Sequence, residues 1–95
     1  MKKNINGVVY DTKDSRNLGG YRHGSGEYHI AEELYVTKSG RFFMYCRGGP
    51  MTPYNSYRQG KLYPGRRILM VTRVQAQEWA EHTLSPNQYI ELFAS

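Results

Sequence analysis

The sequence predicts an α+β fold, a small antiparallel sheet of about four strands covered by a C-terminal helix pair. Three observations carry that prediction. The run ELYVTKSGRFFMYCR alternates side chains on either side of Lys38-Ser39-Gly40, the pattern of a β-hairpin. Arg66-Arg67-Ile68-Leu69-Met70-Val71 reads as a further strand. Two helix-starting signatures then follow, at Thr72 and at Ser85.

In chain order, Asn6-Gly7 between Ile5 and Val8 is the usual sequence of a type I′ hairpin turn. Val8, Val9 and Tyr10 make a short strand ending at Asp11-Thr12. The connection over 13–30 reads as a loop, because KDSRNLGGYRHGSGE is rich in Gly and Ser and has no periodicity. In the central hairpin Leu34 and Val36 alternate with Tyr35 and Thr37, and Phe42, Met44 and Cys46 with Phe43 and Tyr45. Gly40 supplies the left-handed residue that closes it. The stretch 48–65 holds three prolines and four glycines and reads as a long loop, a kind of segment that is usually functional or disordered. The unbroken apolar run 68–71 suggests a strand covered on both faces. Thr72 and Gln75 form a capping box with Val71 as its staple, and Ala76, Trp79, Ala80, Thr83 and Leu84 make one stripe facing the sheet. A second short helix starts at Ser85 with Pro86 and Gln88; Leu84 staples onto Tyr89, and Ile90 and Phe93 supply the buried face. The organisation is one domain over 1–95, a β-rich basic part up to 73 and a helical end over 72–93.

Composition narrows the function classes. Ninety-five residues leave no room for a second core. The net charge of +5 is unevenly spread: residues 1–73 hold all thirteen Lys and Arg against five acids, and the tail holds only acids. A single cysteine, Cys46, allows no internal disulfide and suggests a reducing compartment. No apolar run approaches the roughly 18–20 residues of a membrane span. The start, MKKNINGVVY, lacks the apolar stretch of a signal peptide, so a cytoplasmic protein is expected.

Catalysis finds little support. Cys46 alternates with Phe42 and Met44, which makes it a buried strand cysteine rather than a nucleophile. His23, His29 and His82 form no short-spaced pair with it, so no metal and no cofactor is expected. Gly19-Gly20-Tyr21-Arg22-His23-Gly24-Ser25-Gly26 lacks the ending of a phosphate loop. Glu32 and Glu33 are adjacent, so on a strand they point to opposite faces and read as solvent and edge charges.

Binding is better supported. Between Glu33 and Glu78 the chain carries eight cations and seven aromatics without one carboxylate, a surface that attracts anions and stacks on planar groups. The candidate partner-binding residues are Arg41, Arg47, Tyr54, Tyr57, Arg58, Lys61, Tyr63, Arg66 and Arg67, centred on the loop from 47 to 67, because Tyr and Arg are the residues most enriched at binding hot spots. Two partner classes fit: RNA or DNA, whose phosphates and bases suit Arg and Tyr, or a protein, through an acidic surface or a groove that normally holds nucleic acid. A homodimer through an exposed strand edge stays open.

The segments INGVVYDT, ELYVTKSGRFFMYCRGGPMTPY and RILMVTRVQAQEWAEHTLSPNQY resemble a family of short proteins found in bacterial genomes and on mobile elements, with the pattern ING-x-x-YDT, LY-x-T-x-x-G-x-FF and GGPMTPY. In size and style the chain is similar to anti-CRISPR-type proteins. That resemblance implies an inhibitor of a host defence protein or nucleoprotein complex and supplies no catalytic residues. Many inhibitors of that kind are acidic DNA mimics; a basic one has to bind an acidic protein patch or hold guide or target nucleic acid.

Overall fold

The computed structural model describes residues 1–93. Its first hairpin pairs β1 (Lys2–Ile5) with β2 (Val8–Asp11). Asn6 and Gly7 both take positive φ, 53° and 83°, as a type I′ turn requires. The main sheet has four antiparallel strands in the order β3 (Arg16–His23), β4 (Ile30–Val36), β5 (Phe42–Gly48) and β8 (Gly65–Val71). Between β5 and β8 the chain makes a separate small hairpin, β6 (Ser56–Arg58) and β7 (Lys61–Tyr63). Helices α1 (Arg73–Thr83) and α2 (Pro86–Phe93) complete the α+β fold. Among the described residues no helix is long and apolar enough to cross a membrane.

Alternation along the strands gives the sheet two apolar faces, covered by different elements. On one, Phe43, Tyr35 and Ile68 are buried with Tyr10 of the first hairpin, whose ring meets Phe43 edge-on at 5.4 Å. On the other, Leu34, Met44 and Cys46 pack with Ala76 of α1, flanked by Phe42, Trp79 and Phe93. Each fully buried large side chain of this kind stabilises the fold by about 1.5–3 kcal/mol. Both capping boxes form: Thr72 accepts from the Gln75 amide while Gln75 accepts from the Thr72 amide, and Ser85 and Gln88 do the same.

Several expectations change. The connection read as a loop over 13–30 contains β3, which pairs with β4 from Arg16↔Val36 to His23↔Ile30 with a register shift between Asn17 and Gly19. Its strand character comes from that pairing; its own sequence, with Gly19 and Gly20, has no alternation. Likewise the long loop over 48–65 contains β6 and β7. Strand β8 is covered less than its apolar run suggested, because it lies at the edge: Ile68 is buried, but Leu69 and Met70 remain 41% and 52% exposed. In α2 the expected buried face is only partly formed: Phe93 is half-buried, its ring centre 5.9 Å from that of Phe42, and Ile90 is 55% exposed.

Candidate functional site

Strand register builds a feature that the linear sequence hides. Arg22 of β3 pairs with Ala31 of β4, Ala31 with Arg47 of β5, and Arg47 with Arg66 of β8. Paired residues share a face, so three arginines and one alanine form a single row across the sheet. With strands about 4.8 Å apart, the outer two backbones are separated by about 14 Å. Like charges opposite each other destabilise a sheet, and among the described residues only Arg47 of the three has an ion pair. Glu33, on the same face, takes an ion pair from Arg47 at 3.2 Å and is held in place by Asn17 at 2.8 Å and the Tyr35 hydroxyl at 3.3 Å. The Arg47 guanidinium also lies 5.4 Å from the Tyr45 ring centre, and its Nε is buried without a partner. A shallow concavity lined by His29, Tyr45, Arg47 and Arg66 opens beside the row.

Three residues after β7 the chain reaches Arg66, so the small hairpin springs from the same end of the sheet. Its turn is Arg58-Gln59-Gly60-Lys61, with Gln59 and Gly60 at φ 50° and 79°. Alternation splits this arm into two sides. Arg58, Lys61 and Tyr63 lie on one, where the Arg58 guanidinium sits 4.6 Å from the Tyr63 ring centre. Tyr57 and Leu62 pair on the other, 69% and 44% exposed. A two-stranded hairpin is marginal in water by itself, so this one depends on what holds its base.

The base is held by residues expected to bind the partner. Tyr54 donates its hydroxyl to the Glu32 carboxylate, which also accepts the Trp79 indole N–H at 3.2 Å. Burial above all, and then the bond to Glu32, hold the Tyr54 phenol well above its ordinary pKa. Arg67 donates to the carbonyls of Pro53 and Asn55 at 2.7 and 2.9 Å. Gly49 donates to the His29 carbonyl at 2.9 Å, so close to 26–27 that a Cβ there would collide with the Glu27 carbonyl. Tyr54 and Arg67 are therefore anchors of the loop as the fold stands.

Of the expected residues, Arg47 and Arg66 meet in the row, and Tyr57, Arg58, Lys61 and Tyr63 on the arm. Arg41 joins neither. It lies at the far end of β5, six residues and about 20 Å from Arg47, beside a cleft shared with Arg73 and Met70. Arg22 was missed because it sat in a presumed loop; its spacing from any cation on β5 or β8 carries no local signal. Glu32 and Glu33 do point to opposite faces, as adjacency demands, but each is the acceptor centre of a polar cluster and not a solvent charge. Cys46 is buried, and burial pushes its thiol pKa up. Among the described residues no three His, Cys, Asp or Glu side chains lie together as a metal site would need. Comparison of the chain with protein-family models, curated proteins and solved structures finds no match.

Proposed function

We propose that this chain is a binding protein rather than an enzyme, an anti-CRISPR-type inhibitor that acts in the bacterial cytoplasm on a host defence protein or nucleoprotein complex. The observation that carries the binding reading is the arginine row, Arg22, Arg47 and Arg66, lying next to an arm that exposes Tyr57, Arg58, Lys61 and Tyr63. Arginines with little compensating charge attract an anionic surface and steer its approach. Exposed tyrosines add contact area at small entropic cost, which is what interface anchors need. The inhibitor class rests on the sequence resemblance; the site supports an anionic partner. Capture of a CRISPR effector complex from cells, lost in Arg22→Ala/Arg66→Ala/Arg58→Ala, is the expected result. Intact interference in cells that express the protein overturns the inhibitor reading.

A second reading, a single-stranded nucleic-acid-binding accessory protein of a mobile element, is favoured by the Arg58–Tyr63 pair, in which a cation and a π-face are offered together. It predicts binding to single-stranded RNA or DNA that weakens steeply with salt, because cations on phosphates release counterions. An electrophoretic shift assay at low salt separates the two readings: retardation of the bare strand supports this one, and free migration removes it.

A further inference from the structure

We infer that the open edge of β8 accepts an extended, acid-flanked segment of a partner protein as a fifth strand of the main sheet. This goes beyond the reading above, since it concerns a strand edge and shares only Arg66 with the row. The two edges of the sheet are unlike. At the β3 edge the register shifts between Asn17 and Gly19, and Leu84 lies against Gly19. Such irregularities blunt an edge against further pairing. Strand β8 is crowded at its first residue, Gly65, by the backbone of residues 54–56, but has no register shift along its length. It runs in unbroken register against β5 from Val71↔Phe42 to Gly65↔Gly48 and contains no proline. Among the described residues, no backbone hydrogen bond outside the ladders involves residues 65–71. Its outward amides and carbonyls therefore have no backbone partner there, while Leu69 and Met70, on opposite faces, stay about half exposed. Strand addition uses this combination: main-chain groups for affinity and alternating side chains for selectivity.

Charge decides the occupant. Arg66 and Arg67 mark one end of β8; Arg41 and Arg73 line the cleft at the other, with Val71 and Met70. A second copy of this chain is disfavoured in both directions. Parallel pairing puts Arg66 beside Arg66, and antiparallel pairing puts Arg66 and Arg67 beside the partner's Arg41 and Arg73. A strand with acidic residues at both ends and apolar residues between meets complementary charge at each end.

The probe is a fluorescein-labelled peptide of alternating valine and threonine ended by glutamate pairs, with a lysine-ended peptide as control. Fluorescence anisotropy is expected to show about tenfold tighter binding of the glutamate-ended peptide, a preference that shrinks as salt is raised. Amide hydrogen exchange in the presence of that peptide should slow at alternate residues of 65–71. Leu69→Pro and Met70→Pro add a second check, since proline is tolerated on a strand only where its nitrogen faces outward: the variant that folds should lose the peptide. Equal affinity for both peptides, no binding, or slowing confined to β3 or the arm overturns the inference. So does a dimer in sedimentation whose β8 amides are already protected, because the second copy is then the occupant. Arg58→Ala/Lys61→Ala should leave peptide binding intact, which keeps this test separate from that of the arm.

Discussion

Replacing Tyr54 by phenylalanine tests whether this residue belongs to the scaffold or to the binding surface. The substitution keeps the ring and deletes only the hydroxyl that Glu32 accepts. Hydrogen bonds to charged groups contribute about 1.5–3 kcal/mol. Tyr54 is half-buried and Glu32 keeps the Trp79 N–H at 3.2 Å, so the lower end applies, about 1.5–2 kcal/mol. For a domain of this size that corresponds to a melting temperature lower by roughly 6–16 °C. Trp79 is the only tryptophan and donates to the same carboxylate, so its fluorescence reports the site directly during urea unfolding. Tyr57→Phe is the control: its side chain is 69% exposed and the change should stay within about 0.5 kcal/mol. If Tyr54→Phe unfolds within about 0.5 kcal/mol of the parent, the anchoring role assigned to the Tyr54–Glu32–Trp79 cluster is wrong.

Three further outcomes are expected. Stability should fall as pH rises above about 9: Cys46, Tyr35 and Tyr54 all have folded pKa values raised from 9.0 or 10.0, chiefly by burial, so the unfolded chain ionises first and the contribution present below that range is lost. Urea midpoints measured at neutral and alkaline pH check this, and a flat profile contradicts it. Gly65→Ala should destabilise by about 1–3 kcal/mol, since the new Cβ would run into the Tyr54 carbonyl and lie 2.8 Å from the Asn55 carbonyl carbon, backbone that cannot yield cheaply; thermal melting measures it. Glu33→Gln should cost about 1 kcal/mol through loss of a partly exposed ion pair, yet delay elution from a heparin column by freeing Arg47. Earlier elution would mean that Arg47 does not face the bound anion.

Elements specified by adjacent residues were legible: the Asn6-Gly7 turn, the hairpin around Gly40, and the helix starts at Thr72 and Ser85 are each set within four residues. Strand β3 was not, because its residues 16–23 become a strand only by pairing with 30–36. The arm escaped notice for a different reason. Strands of three residues are too short for periodicity to register, and Gln59 is an unusual residue to hold positive φ. At the site, composition pointed to Arg47, Arg66 and the arm, but register decided which cations are neighbours. It brought in Arg22 and left Arg41 at the other end. Tyr54 looked like a binding tyrosine because its acceptor, Glu32, is 22 residues away in the chain.

Strands β5 and β8 pair directly, yet everything from 49 to 64 lies between them as an excursion. Closing a longer or shorter excursion changes the entropic cost only slowly with length. The segment beyond Asn55 is thus a replaceable module: a different arm grafted between Asn55 and Gly65 would inherit the same sheet, the same helices and the same tether through Tyr54. One chassis can in this way carry many recognition elements, and change of partner need not be accompanied by change of fold.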